Sequence, residues 1–291
     1  MKALLAYGLV GALGGALSMQ ADVTYISKLH YNGGALIDMM KKMSASPMGA
    51  PMAQSFQDRT YTVYVKGNKM ARVGDTTTTI TDYDAGSITN IDHTRKTYTV
   101  ITFDQMKQMQ DRMQQMTGQG TNDFDVKVDK TGKTKLIDGQ TATETVITAT
   151  SKSGGATKFR SDVWTVGSVP GGDEMRAFHL KAATSAADAF GGGGMMGGAS
   201  QALAAATRET LRIGGVAVET ETQISGVQIG PMGGAPDPNA VSIDITSTES
   251  GWSTNAVDDS HFAIPAGYTK QERGAGMGGP GRPPRGGPPQ P

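Results

Sequence analysis

Apolar and polar residues alternate along residues 60–103, and short turn-forming segments interrupt this alternation at regular intervals. A period of two predicts strands with one buried face. The interruptions are rich in Gly, Asn and Asp, which accept the backbone angles of tight turns. Connections this short cannot contain a crossover helix, so consecutive strands must be antiparallel. The sequence therefore predicts a meander of strands over residues 60–66, 69–73, 76–83, 88–91 and 97–103.

Alternation also occurs on both sides of this meander and predicts further strands there. One precedes it at residues 22–31. After it, a Lys130-Thr131-Gly132 turn is predicted to join strands at 124–129 and 133–138. Another hairpin is predicted from 141–151 and 157–169, and later strands from 216–224 and 241–245. The fold class indicated is α+β, mainly antiparallel β.

The spacing of amphipathic helices occurs in a few segments. Residues 104–116 give the clearest case, with Asp104 as the predicted N-cap. Four methionines share one face of this helix: Met106, Met109, Met113 and Met116. Helices are also predicted at 173–187 and at the Ala-rich segment 200–212, and a short helix at 35–43 before Pro47.

The two ends of the chain differ in composition from its middle. Residues 1–21 combine Lys2 with an apolar run and small residues near Ala21, which is typical of a cleaved export signal. We therefore expect a periplasmic or otherwise exported protein with a single β-rich domain at 22–270. Gly- and Met-rich insertions at 33–54 and 188–199 are expected to be flexible, and the Gly/Pro/Arg tail at 271–291 to be disordered.

Composition and motifs exclude several classes of function. Lys plus Arg and Asp plus Glu both number 27, so the balanced charge gives no footprint for nucleic acid. The chain has no cysteine, which excludes disulfides and thiolate chemistry. Its four histidines are scattered and fit no zinc motif, and no nucleophile elbow occurs. We expect no enzymatic activity, no cofactor, no metal site and no membrane-spanning segment once the leader is removed.

Several short segments together resemble a known family. They are Tyr64-Val65-Lys66-Gly67-Asn68, Thr97-Tyr98-Thr99-Val100, Ile137-Asp138-Gly139-Gln140 and Phe262-Ala263-Ile264-Pro265. They are similar to an exported bacterial family of unknown function that in turn resembles the periplasmic lipoprotein carriers, and the likeness covers about residues 22–270. It implies a curled half-barrel sheet with two or three helices over its concave face, around a hydrophobic cavity. A cysteine pair common in such families is missing, since Thr141 and Ala142 occupy one of its positions.

The methionine stripe leaves three interpretations open. The side chains can simply pack a helix onto the sheet, because soft unbranched residues fill irregular cores. They can instead line an adaptable cavity for a lipid or a lipidated protein, which the carrier-like resemblance favours. Thioethers are also ligands for Cu(I). We expect the second function, with an envelope interaction module as the alternative, and predict seven ligand-binding residues: Tyr64, Tyr98, Met106, Met109, Met113, Met116 and Trp164.

Overall fold

The computed structural model describes residues 22–43, 57–117, 124–152, 158–190, 209–210, 212–226 and 241–272. The predicted export signal at 1–21 lies outside these ranges. So do residues 44–54 and 191–199 of the two predicted insertions, most of the predicted Ala-rich helix at 200–212, and residues 273–291 of the predicted tail. Predictions about those segments stay predictions.

The strands of the described residues form one open sheet of 12 strands, in the order β12-β6-β5-β4-β3-β2-β1-β11-β10-β9-β8-β7. Its strands are β1 (Val23–Gly33), β2 (Arg59–Lys66), β3 (Lys69–Val73), β4 (Thr77–Asp82), β5 (Ser87–Asp92), β6 (Thr97–Thr102), β7 (Phe124–Ile137), β8 (Gln140–Ser151), β9 (Lys158–Val166), β10 (Val216–Ser225), β11 (Val241–Ser253) and β12 (Thr269–Lys270).

The chain enters this sheet at its middle and builds it outwards on both sides. Strands β2 to β6 extend one side as the predicted meander, and β7 to β11 return from the far edge to β1. Every pairing is antiparallel except the two-residue pairing of β12 with β6. The prediction of a mainly antiparallel fold is confirmed, and within the meander β2 to β6 short turns join consecutive strands as expected.

The predicted turn at Lys130-Thr131-Gly132 is wrong. Residues on both sides of it belong to the single strand β7 and pair with the same neighbour, β8, with a shift in register between Lys130 and Thr134. Gly132, with a positive φ of 73°, accommodates this bulge. The turn between β7 and β8 instead uses Asp138 and Gly139, both with positive φ.

Within the described ranges, three helices with defined bounds accompany the sheet: α1 (Ala35–Met43), α2 (Phe103–Thr117) and α3 (Gly172–Phe190). Residues 209–210 and 212–213 are helical as well. No helix in the described ranges is long and apolar enough to span a bilayer. The predicted N-cap Asp104 is wrong, because Thr102 caps α2. The Thr102 hydroxyl accepts from the Gln105 backbone N–H, and Gln105 Oε1 accepts from the Thr102 N–H, which is a capping box.

Helices α1 and α3 cover the same face of the sheet. Phe178 and Met175 of α3 pack on β1 and β2, while Ile37 of α1 packs on β8 to β11. We call this surface the helix face; its core residues are Val23, Tyr25, Val63, Val65, Ile147, Ala149, Phe159, Val163, Ile224 and Ile243. Since Ile37 is fully buried, the described part of the first predicted insertion is anchored in the core.

The opposite face carries two smaller apolar clusters. One contains Ala142, Trp164, Val166 and Val218 on β8 to β10. The other contains Ala71, Ile80 and Ile91 on β3 to β5, and the chain after β11 packs on it through Phe262 and Tyr268. That last segment includes a 3₁₀ turn, Asp259–Phe262, and ends in β12 at the sheet edge. Strand β2 is therefore covered on both faces, by α3 on one and by the segment after β11 on the other.

Candidate functional site

The three aromatic residues predicted to bind ligand lie on the opposite face, away from α3. Tyr64 and Tyr98 belong to one cluster there, and the ring of His261 stacks on Tyr64 with centroids 3.7 Å apart. Trp164 belongs to the other cluster on that face, where Lys135 Nζ is 4.0 Å from its ring centroid. Tyr64 and Tyr98 thus pack on one cluster from β2 and β6, which three strands separate, and Trp164 lies in the other cluster.

The predicted methionines lie on α2, which packs against α3. Met106 is half-buried and Met109 is exposed, at 44% of its surface. The side chains of Met113 and Met116 lie outside the described part of the structure. The ligand-binding role of the seven residues stays a prediction, and the fold does not gather them at one place: the methionines lie on α2, Tyr64 and Tyr98 at two margins of one cluster, and Trp164 in another cluster.

A polar strip crosses the helix face between the clusters covered by α1 and α3. Ser27 of β1 lies directly opposite Glu249 of β11, and Ser247 lies opposite Thr220 of β10. Ser27 is buried, and the other three are half-buried. A sheet face that packs on helices normally carries apolar residues at such positions. The strip therefore marks a place where the helices do not complete a dry core.

Glu249 is the ionisable residue of this strip. Burial raises the pKa of its carboxyl to about 7, and the positive charge of Arg72 opposes that shift. Part of the Glu249 surface nevertheless stays accessible to solvent. The carboxyl of Glu249 is thus desolvated although the residue as a whole is not fully covered. Near neutral pH, it exchanges readily between its charged and neutral forms.

His179 approaches the same region from α3. Burial lowers the pKa of its imidazole to about 4, and the charge of Arg72 acts in the same direction. The ring is therefore neutral near pH 7 and can donate through one nitrogen and accept through the other. It lies beside Phe178, which anchors α3 on the sheet. Helix α3 thus brings one titratable ring to the helix face next to its main apolar anchor.

Arg72 supplies a positive charge that acts on the titratable groups of this region. It lies on the helix face of β3, directly opposite Val63, and its guanidinium carbon is 4.8 Å from the centroid of the Tyr61 ring. Its charge acts on Glu249, on His179 and on the Tyr25 hydroxyl, whose pKa burial raises. The arrangement offers polar contacts and one fixed positive charge beside apolar surface. It is suited to binding an amphiphilic molecule.

Sequence reasoning did not identify Glu249, His179 or Arg72. The alternation in β11 could have identified Glu249, because residues 243 and 245 are apolar and face the helices. Continuing that phase places 247 and 249 on the same face, where Ser247 and Glu249 break the apolar pattern. His179 has no comparable signal, since a histidine next to an apolar helical stripe is common.

Among the described residues, no group of three or more His, Asp or Glu side chains is arranged to hold a metal ion. On the opposite face, charged residues of β7 and β8 form an ion pair. There, the Glu144 carboxylate accepts from Thr131 and pairs with Lys133, and these contacts lower its pKa.

Comparison with known proteins identifies no relative, since neither a protein-family model nor a curated protein sequence matches this chain.

Proposed function

We propose that this protein is an exported, non-enzymatic binding protein for a hydrophobic ligand such as a lipid or a lipidated protein. In this proposal the open sheet curls into a half-barrel with its helices over the concave face, as in the periplasmic lipoprotein carriers. The ligand lies between sheet and helices. Acyl chains bind there because each buried methylene contributes about 0.8 kcal/mol.

The observation that carries this proposal is the incomplete cover of the helix face. Helices α1 and α3 pack on separate apolar clusters of one face. Next to the polar strip, Leu29 keeps part of its surface accessible, and so do Tyr31 and Ile245 at the margin of the α1 cluster. Apolar side chains left accessible beside a packed core are typical of a ligand groove.

Recovery of bound lipid is the direct test. The full chain, with residues 1–21, is expressed in a bacterium and purified from the periplasm, then analysed by native mass spectrometry and solvent extraction. We expect co-purified lipid and saturable binding of a fluorescent fatty acid by the delipidated protein. Recovery of no lipid together with no response to the fatty acid would contradict the proposal.

A pair of variants in β1 locates the ligand. Leu29 is half-buried on the helix face, and Ile26 is 38% exposed on the opposite face. Leu29→Gln is expected to weaken fatty-acid binding about tenfold, since it places an amide against the acyl chain. Ile26→Gln is the matched control and should bind as the unmodified protein does. Equal loss in both variants would argue against a groove on the helix face.

A second candidate is an interaction module of the cell envelope, and the edge strand β7 favours it. This strand has 14 residues, forms one edge of the sheet, and exposes Val128 at 41% and Leu136 at 75%. Exposed strand edges are sites where a partner can add a strand. The lysines of β7 oppose uncontrolled pairing of this kind. A specific partner captured through β7, with no lipid bound, would favour this candidate over the first.

A further inference from the structure

Arg72 is an exposed cation on the helix face without an anionic partner. In the described part of the chain, no carboxylate forms an ion pair or a hydrogen bond with it. Its guanidinium rests over the ring of Tyr61, and the Tyr61 hydroxyl accepts from Arg59 Nη1 at 3.3 Å. Stacking on an aromatic ring holds a guanidinium plane in place and leaves its N–H edge available.

The residues that follow Arg72 across the sheet add further donors. Thr79 of β4 lies directly opposite Arg72, and Asn90 of β5 lies directly opposite Thr79. The Thr79 hydroxyl donates to Asn90 Oδ1 at 3.1 Å, so the Asn90 amide nitrogen is left with its two N–H groups. No acceptor for them occurs within the described ranges. Arg72 and Asn90 are both exposed.

The neighbouring titratable groups do not cancel the charge of Arg72. His179 carries no charge near neutral pH, and Glu249 is only partly ionised there, because burial disfavours the charged form of each. Tyr25 is also buried and stays protonated. The region therefore has an excess of donors and positive charge over acceptors and negative charge. A ligand with acidic oxygens would supply what is missing.

Building on the proposed function, we propose that Arg72 and Asn90 bind the acidic head group of the acyl ligand, a carboxylate or a phosphate. The acyl chain then runs from Arg72 past α3 along the helix face. A guanidinium can bind two oxygens of such a group with parallel hydrogen bonds, and the Asn90 amide can donate to another. Such a site would bind an acyl ligand that has an acidic head group more tightly than a neutral lipid with the same acyl chain.

The test compares ligands that differ only in the head group. Delipidated full-length protein binds a fluorescent fatty alcohol, which is displaced by oleic acid or by its methyl ester. We expect oleic acid to bind about tenfold or more tightly than the ester, as for a charge-assisted hydrogen bond. Arg72→Gln and Asn90→Asp should abolish this preference, because they weaken binding of the acid more than binding of the ester. Thermal unfolding verifies that both variants fold.

Arg95→Gln is the matched control, because Arg95 is exposed in the β5–β6 turn and pairs with Asp92. It should keep the full preference for the acid. Oleoyl lysophosphatidic acid is the third ligand, and its affinity relative to oleic acid distinguishes a phosphate site from a carboxylate site. Ester binding as tight as acid binding, or a preference that survives Arg72→Gln, would overturn the head-group assignment and leave the proposed function intact. Failure of all three ligands to bind would overturn both.

Discussion

Trp252 stacks on Tyr25, with ring centroids 4.3 Å apart and 15° between the ring planes. Tyr25 lies in β1 and Trp252 in β11, so this contact joins the first strand of the chain to its last long strand in the middle of the sheet. The Trp252 Nε1–H is buried and has no hydrogen-bond partner among the described residues. Trp252 therefore stabilises the sheet through packing of its rings.

Substitution of Trp252 should separate packing from hydrogen bonding. Trp252→Ala is expected to lower the free energy of unfolding by about 3–5 kcal/mol, because it removes a stacked aromatic side chain next to the core. Trp252→Phe keeps one ring and loses no hydrogen bond, so its loss should be clearly smaller. Urea unfolding followed by circular dichroism measures both. Equal losses would indicate that the indole N–H is bonded in solution.

Gly34, at the junction of β1 and α1, is required by a close backbone approach. Its φ is 122°, and a Cβ there would overlap the backbone carbonyl of Ser242. Gly34→Ala is expected to destabilise the protein by roughly 2–5 kcal/mol, because strain and overpacking add. Gly67→Ala is the control, since Gly67 has a φ of 57° and open space around its Cβ position. It should cost about 1 kcal/mol, for the left-handed conformation alone. Similar losses would contradict the packing of α1 on β11.

Tyr268 holds the segment after β11 on the opposite face of the sheet. Its hydroxyl is 3.0 Å from His93 Nδ1, and His93 Nε2 is 2.8 Å from Thr78 Oγ1. Tyr268→Phe should cost about 1 kcal/mol through the lost hydrogen bond. It should also speed amide exchange at Thr269, whose N–H donates to the Lys96 carbonyl.

Tyr98→Phe is the matched control for this substitution. Tyr98 is half-buried in the same cluster, and its hydroxyl makes no hydrogen bond within the described residues. Amide exchange measured by nuclear magnetic resonance compares the two variants at β12. If both variants left Thr269 equally protected, the Tyr268–His93 contact would not hold the segment.

Local chemistry made the meander predictable. Residues 67–68 and 84–86 form turns in the structure as their Gly, Asn and Asp content indicates, and the strands between them fall within a few residues of the prediction. Helix α2 was also predictable, because four methionines repeat at helical spacing. The exception was β7. Its Lys130-Thr131-Gly132 segment has turn composition, but pairing with β8 on both sides keeps it within one strand.

The candidate site depends on contacts between distant parts of the chain, which alternation does not encode. Tyr64 looked like a ligand-facing residue, yet its neighbours in sequence, Val63 and Val65, are the ones that face α3. Both phases of β2 are covered, one by α3 and the other by the segment after β11, so the pattern gives no preferred side. Likewise, Arg72 and Glu249 are far apart in the sequence, and the charge of Arg72 reaches Glu249 because only β2 and β1 lie between their strands in the sheet.

Glu249 and His179 should give the protein two opposing dependences of stability on pH. The pKa of Glu249 rises from 4.5 to about 7 on folding, so the folded state holds the extra proton in that window and stability falls as pH rises through it. The pKa of His179 falls from 6.5 to about 4, so the unfolded state holds the extra proton and stability rises with pH through that window. Between about 4.5 and 6.5 the two effects oppose each other.

Removal of either group should reveal the effect of the other. Glu249→Gln should leave a protein whose free energy of unfolding rises with pH from about 4 to 6.5 and then stays level, with the largest gain over the unmodified protein above pH 7. His179→Gln should leave one whose stability falls from about 4.5 to 7. Urea unfolding across this range measures how the free energy of unfolding changes with pH in both variants. Glu272→Gln, which changes an exposed carboxyl, is the control and should show the same change as the unmodified protein. Unchanged slopes in both of the first two variants would mean that water reaches Glu249 and His179 freely.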